Sequence, residues 1–346
     1  MKAAVVEELG RIRYKEVEEP ELLPDSLLLR VKGCAICGSD IRIVYQGDRR
    51  VRFPIIAGHE MSAQVVAVGP QSHGFAIGDR VVVAPGVSCG DCYCCHRGWE
   101  NLCLNMISIG YFWPGSFAEY MVPPPSALTQ GFVNKVPDGL SDKAAALGEQ
   151  LACCINGQEL LQVSSEDTVA IIGAGPTGVL HAMLALSKGC RKVMLVQRSR
   201  HRLELARKTV AAHAFISTLD EDPLQRVQEE TDGVGADVMI VAAPSAEAQQ
   251  LALELVGWRG RVSFFGGLPH SNPTAILNSN HIHYKECFVT GGSSSTARQN
   301  REALALLASG AIPGEDLITH EFPLAQIEEA LGVARDKVGL KVMVLP

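Results

Sequence analysis

Thr168-Val-Ala-Ile-Ile-Gly173-Ala-Gly175-Pro176-Thr177-Gly178 is the stretch from which the architecture of this chain is best read. Alone, G-x-G-x-x-G is a weak signal; after an apolar strand and before a helix it becomes specific. Gly173 permits the tight turn, Gly175 lets the backbone approach a pyrophosphate, and Gly178 lets helix and strand pack closely. Pro176 and Thr177 open the helix, whose N-terminal N–H groups and dipole favour phosphate. The apolar run from Thr168 to Leu186 approaches membrane-span length, but Gly173, Gly175, Pro176 and Gly178 interrupt it early, so no membrane partner is expected. Outward from this turn, strands are expected at Thr168–Ile172, Val193–Gln197, Asp237–Ala242 and Arg261–Phe265, with helices at Thr177–Lys188 and His201–Lys208. Apolar strands alternating with helices indicate an α/β fold, a doubly wound parallel sheet covered on both faces.

The second strand ends in Gln197-Arg198-Ser199-Arg200-His201-Arg202, where a site for NAD(H) usually offers an acidic residue to the ribose. Without that carboxylate, Arg198 and Arg200 can pair with a 2′-phosphate, and Ser199 and Arg202 complete the candidate cofactor set. NADP(H) is therefore favoured over NAD(H). A solvated basic helix start is the alternative, since Gln197 can still hydrogen-bond a ribose.

At 346 residues the chain has room for about two domains. Its hydrophobic content of 47% and charged content of 20% are ordinary for a globular protein, and a net charge of -7 argues against nucleic acid as partner. Eleven cysteines behind a start, MKAAVVEELGR, that lacks a signal-peptide pattern suggest reduced thiols and a cytoplasmic location. The first 130 residues read as β-rich, with short strands at Leu27–Val31, Gln64–Val68 and Arg80–Ala84. Ser141 is a candidate N-cap for a helix running from Ala144 to Leu161. After about Thr290 one helix, Arg298–Ser309, and a closing strand, Leu340–Leu345, are expected; so short a tail should rejoin the first domain.

Five cysteines crowd Cys89-Gly-Asp-Cys92-Tyr-Cys94-Cys95-His-Arg-Gly-Trp-Glu-Asn-Leu-Cys103, four of them spaced C-x2-C-x2-C-x7-C. Cys89, Cys92, Cys95 and Cys103 suit the closed tetrahedral cage of a structural zinc. A disulfide cluster lacks a secretory context, and an iron-sulfur run would place its last cysteine three residues after the third with proline behind it. Cys94 is the expected bystander, because adjacent residues rarely direct both thiolates at one ion.

Upstream, Cys37-Gly-Ser39-Asp40 follows a strand and Gly58-His59-Glu60 comes about twenty residues later. Singly, Cys37 reads as a core thiol and His59 as a core histidine. Together with the cysteine lobe, Gly115-Ser-Phe-Ala-Glu-Tyr120 and Gly173–Gly178, they make the chain resemble, over essentially its whole length, the zinc-dependent medium-chain dehydrogenase/reductases, and among them the polyol (sorbitol/L-iditol-like) branch. The resemblance implies a GroES-like catalytic domain over residues 1–152 with a zinc lobe at about 85–105, a Rossmann domain over 153–289, and a return over 290–346 that completes the first.

By position, the family's catalytic zinc falls on Cys37, His59 and Glu149, with Glu60 a neighbouring or alternating ligand; two zinc ions per subunit are implied. Glu149 stands where classical relatives have cysteine, and fewer thiolates leave the metal a stronger Lewis acid. The implied reaction is alkoxide formation at the metal and hydride transfer to nicotinamide, with Ser39 the first proton carrier or simply a helix cap. Arg42 replaces the histidine that many relatives use to pass that proton on. It makes a poor relay, so water completes the path, or Arg42 meets an anionic part of cofactor or substrate, or it is a surface cation. Gln150 stands where relatives often have proline, and Phe112, Trp113 and Pro114 are candidates for the substrate mouth or for core.

The expected function is therefore interconversion of a secondary alcohol and a ketone on a polyol, sugar or cyclitol, by a homodimer or homotetramer. An amino-alcohol dehydrogenase of the threonine type is the rival enzyme, and a catalytically silent nucleotide-binding protein the rival from another class. A zinc-free quinone reductase is disfavoured by Cys37, His59 and the four-cysteine run together.

Overall fold

Strand Thr168–Ile172 is buried along its whole length because it has a parallel neighbour on each side. In the computed structural model, which describes residues 1–346, it belongs to a six-stranded sheet. The order is Ala214–Ser217, Lys192–Gln197, Thr168–Ile172, Ala236–Val241, Val256–Phe264, Phe288–Gly291. Counted along the chain this is 3-2-1-4-5-6, in which dinucleotides bind beyond the carboxyl ends of the strands where the order reverses. Gly178 is obligatory at the first turn, since a Cβ there would lie 1.7 Å from the Gly173 carbonyl oxygen. Pro176 is the first residue of helix Pro176–Ser187, where its missing N–H costs no intrahelical bond. This sheet and its helices form one compact unit, residues Cys153–Ser293.

The other unit joins Met1–Ala152 to Ser294–Pro346. Its main sheet runs Val133–Lys135, Arg80–Val83, Glu60–Val68, Leu27–Ala35, Lys341–Leu345, Ile318–Pro323, with Tyr120–Met121 also paired to Leu27–Ala35. Leu27–Ala35 is central: Ala35 pairs with Glu60 on one side and with Met343 on the other. A three-stranded sheet (Arg11–Glu16, Lys2–Glu8, Ile55–Ile56) and a two-stranded ribbon (Gly86–Val87, Ile107–Ser108) complete the β structure. The core between them includes Leu27, Leu29, Val65, Phe117, Phe132 and Val344. Across the whole chain, no helix is long and apolar enough to cross a membrane.

Three local expectations need correction. The helix expected from Ala144 to Leu161 is two, Asp142–Ala146 and Gly148–Leu160. The first is capped by Ser141, which accepts from the Ala144 N–H, and it closes when the Leu147 N–H turns back to the Ala144 carbonyl. Gly148 opens the second helix, and a Cβ there would come within 3.2 Å of Leu304 in helix Ala297–Ala308. The tail carries, besides its expected helix, the strand Ile318–Pro323 and a second helix, Ile327–Arg335, whose Ile327, Ala330 and Leu331 are buried. Strand Val256–Phe264 begins well before Arg261, across a register irregularity that Gly257 and Gly260 accommodate.

His181, on the helix after the glycine turn, is fully buried edge-on to Phe265, with ring centroids 4.6 Å apart. Neither ring nitrogen has a hydrogen-bond partner, and burial pushes its pKa down to about 3. The unfolded chain therefore takes up a proton near pH 6.5 that the folded chain refuses until far lower pH. Stability should fall as pH drops below about 6.5, by up to about 1.4 kcal/mol per pH unit from this group alone. Urea titrations across this range should show a visibly shallower fall for His181→Leu; an unchanged pH dependence would remove His181 from the account.

Candidate active site and metal centres

The central strand Leu27–Ala35 delivers Cys37 just past its end, at the N-cap of helix Gly38–Tyr45. Asp40 closes a capping box there: its Oδ2 accepts from the Cys37 N–H at 2.8 Å, while Oδ1 accepts from the Gly58 N–H at 3.2 Å. One buried carboxylate thus ties the two sequence segments that carry the candidate ligands. Gly58 has φ +87°, and a Cβ there would meet the Phe117 ring at 2.8 Å. Segment Gly115–Phe117 lies against this turn, Ser116 N donating to the Gly58 carbonyl at 2.9 Å. His59 then leads into strand Glu60–Val68, whose first residue, Glu60, pairs with Ala35 two residues before Cys37.

The result is a triad, Cys37, His59 and Glu60, whose ligand atoms all lie within 4.8 Å of one another. His59 Nε2 is 3.2 Å from Ser39 Oγ, and its Nδ1 is 3.4 Å from Asp40 Oδ1, beyond a good hydrogen bond. Burial alone would push the His59 pKa down; the Asp40 charge, with Cys37, overcomes it and raises it well above the usual value. Glu60 is completely buried, and its Oε1 has no partner within the protein. A thiol, an imidazole and a carboxylate oxygen converging on one point, with an orphaned acceptor among them, fit a metal held by three protein ligands with a position left open.

Glu60 is ion-paired with Lys341, the first residue of the last strand, and both side chains are buried to within 2%. Burial by itself would lower the lysine's pKa. The charges of Glu60, Cys37 and Glu149 together hold it above the usual value, so it stays a cation. Glu149, in the first turn of helix Gly148–Leu160, is thus within electrostatic reach of Lys341 but is not one of the three converging groups. Sequence reading passed over Lys341; the signal was a charged residue inside an otherwise apolar closing strand, Lys341-Val-Met-Val-Leu345.

The cysteine lobe brings Cys89, Cys92, Cys95 and Cys103 within the same 4.8 Å limit. Sulfur separations of 3.4 Å (Cys92–Cys95), 3.5 Å (Cys89–Cys103) and 3.9 Å (Cys92–Cys103) are far too long for disulfides. They match the roughly 3.8 Å edge of a tetrahedron built on zinc–sulfur bonds of about 2.3 Å. Backbone N–H groups of Cys89, Leu104 and Asn105 point at sulfur, and such hydrogen bonds, from Cys95 first and then Leu104, bring the Cys92 thiol down to about 6. Cys94 stands outside the four, and burial raises its pKa.

Of the residues considered for the substrate mouth, Phe112 is half exposed, whereas Trp113 packs on the core and donates Nε1–H to the Val122 carbonyl at 2.9 Å. Arg42 is not a free surface cation: its Nε lies 3.2 Å from Asp48, a carboxylate only 1% exposed.

In the nucleotide-binding unit, the Gln197 side chain folds back to accept from the Arg198 N–H at 3.0 Å. Ser199 caps helix Arg200–Thr209 through the Arg202 N–H. Arg200 is an exposed cation already clamped on Asp220. Arg202, by contrast, is buried with one terminal nitrogen unpartnered, and that nitrogen lies 3.9 Å from where a Cβ of Gly175 would be. The guanidinium nearest the glycine turn is therefore that of Arg202.

Residues 23–138 match the family model described as alcohol dehydrogenase GroES-like domain, and residues 176–309 match that of zinc-binding dehydrogenase. A sorbitol dehydrogenase of Halalkalibacterium halodurans is 31% identical over 350 residues, covering 100% of this chain and 99% of its own. An L-threonine 3-dehydrogenase of Yersinia pestis is 30% identical over 335 residues, 95% of this chain and 94% of that one. Among solved structures, a putative zinc-binding dehydrogenase from Sinorhizobium meliloti bound to NADP superimposes with a TM-score of 0.92 at 31% identity, covering 100% of this chain and 99% of the other.

The buried pair Glu60–Lys341 can be tested for stability. Lys341→Met leaves a carboxylate buried without its counter-ion and should cost about 3–5 kcal/mol in a urea titration. Adding Glu60→Gln to it should recover more than half of that loss, because the stranded charge goes with it.

Proposed function

Because this chain belongs to the zinc-dependent medium-chain dehydrogenases, we propose that it oxidises a secondary alcohol of a polyol, sugar or cyclitol to the ketone, or reduces that ketone, with a nicotinamide nucleotide. The observation that carries the reading is the Cys37–His59–Glu60 triad with an orphaned carboxylate oxygen beside a buried lysine. Cys37, His59 and a carboxylate from Glu60 or Glu149 would hold the catalytic zinc; Cys89, Cys92, Cys95 and Cys103 would hold a second, structural ion. When bound, the metal supplies Lewis acidity toward the substrate oxygen and the nicotinamide supplies the hydride acceptor.

The chain's own groups do the rest. Ser39 Oγ, 3.2 Å from His59 Nε2, would take the proton of the substrate hydroxyl while passing its own on. Arg42 cannot carry it further, being permanently charged and paired with Asp48, so the proton leaves Ser39 through water. Lys341 stays protonated and offsets the negative charge that Cys37, Glu60 and Glu149 accumulate. Asp40 ties the backbone at Cys37 to that at Gly58, the residue before His59, and adds a negative charge beside the imidazole.

NADP(H) is the favoured cofactor: no carboxylate follows strand Lys192–Gln197, and Arg198 and Arg202 remain available although Arg200 is held by Asp220. The relative bound to NADP supports the same choice. A homodimer or homotetramer is proposed from the family resemblance and from the edge strand Phe288–Gly291, whose Phe288 is 67% exposed, as is Trp258 on the neighbouring strand Val256–Phe264. Eleven free cysteines suit a cytoplasmic location. The amino-alcohol reading is kept alive by the threonine dehydrogenase relative.

Two measurements decide these points. His59→Ala or Glu149→Ala should reduce turnover at least a thousandfold while the folded protein keeps about one of two zinc ions per subunit; full activity in either would remove that residue from the site. A panel of polyols, cyclitols and L-threonine with both nucleotides should give higher kcat/KM with NADP than with NAD and separate the two substrate readings.

A further inference from the structure

In a chain of net charge -7, the segment from Arg42 to Arg52 carries four arginines and one aspartate. The structure gathers part of this charge beside the metal triad. Asp48 is buried to 1% and receives Arg50 in a fork, Nε to Oδ1 and Nη2 to Oδ2, both at 2.9 Å, together with Arg42 through Nε at 3.2 Å. Two guanidiniums share one carboxylate, so a positive charge is left over, and their side chains stay 36% and 45% open. Arg50 hydrogen bonding holds the Asp48 carboxyl well below its usual range, so the arrangement keeps its charge at any working pH.

The position of Arg50 is set a second time. Its guanidinium lies over the Tyr111 ring, 4.0 Å from the centroid, and that ring is 5.7 Å from the His59 ring. One aromatic ring therefore separates the surplus cation from a triad imidazole. Arg42 commits only Nε to Asp48, and both its terminal nitrogens remain outside that pairing.

We propose that Arg50 and Arg42, braced on Asp48 and Tyr111, recognise an anionic group, a phosphate monoester or a carboxylate, carried by the alcohol substrate at the end of the carbon chain remote from the reacting hydroxyl. The planar guanidinium donors suit either oxyanion. The inference rests on the alcohol dehydrogenase reading above and narrows its substrate class. It also gives Arg42 a role for which a proton relay is the wrong chemistry.

The test compares sorbitol, sorbitol 6-phosphate and gluconate with the zinc-loaded enzyme. At least one anionic compound should exceed sorbitol tenfold in kcat/KM, and which one does identifies the oxyanion. Arg50→Gln should lower the ratio of anionic to neutral kcat/KM at least tenfold, with Arg50→Lys retaining more of it. Arg42→Gln, which leaves the Arg50–Asp48 fork intact, should move the ratio the same way. Equal losses on all three compounds, or a raised KM for the nucleotide alone, would make the arginines a structural brace or a cofactor contact and overturn the proposal; so would a preference for sorbitol. Calorimetric titration with the same anions supplies an independent readout. If no alcohol in the wider panel is oxidised but anion binding still depends on Arg50, the dehydrogenase reading fails while the oxyanion site stands.

Discussion

A buried lysine is the constraint around which the catalytic unit is organised. Glu60 is completely buried, Cys37 and Glu149 are near, and all three press negative charge on Lys341. A cluster of acidic ligands inside a protein is costly unless a cation shares the space, and a cation that comes from the opposite end of the sequence forces the chain to return. Lys341 begins the strand that pairs with the end of Leu27–Ala35, while Glu60 begins the strand on that strand's other side. The sheet register therefore brings cation and carboxylate together, and the long return from the nucleotide-binding unit has an electrostatic as well as a packing reason.

The same economy governs the smaller parts. Asp40 is at once helix cap, tether for Gly58 and neighbour of His59, so the helix start and the ligand turn cannot drift apart independently. Gly58 accommodates the Phe117 ring where any side chain would collide, which lets segment Gly115–Phe117 clamp the turn. The cysteine lobe works differently. Its four sulfurs gather as one set, and those of Cys92 and Cys103 draw on neighbouring backbone N–H groups. Under the proposed function, chemistry would belong to the incomplete set and structure to the complete one.

How much of this is legible in the sequence depends on the range of the interaction that decides each feature. Thr168–Ile172 and the helix after it are readable because periodicity and the glycine turn act over a few residues. Ser141 is readable as a cap for the same reason. The break at Leu147 is not legible in the Ala/Leu-rich pattern, and neither are strands Ala214–Ser217 and Phe288–Gly291, short segments defined by their neighbours in the sheet. The arginine run after Gln197 suggests Arg198 and Arg200 as phosphate ligands, yet Asp220 occupies Arg200, and it is Arg202 that is buried with a terminal nitrogen close to the glycine turn.

By itself the sequence determined the residue types and spacings: a strand-turn-helix able to receive a dinucleotide, four cysteines at zinc spacing, and Cys37, His59, Glu60 and Glu149 as metal-type residues. Those follow from local backbone geometry and ligand chemistry. Only the tertiary structure decided which of the latter converge, that Lys341 is their counter-ion, and that Arg42 and Arg50 share Asp48 beside Tyr111. The physical reason is that charge pairing and burial are set by distances in space between residues remote in sequence, through strand register and close packing, which no local pattern encodes.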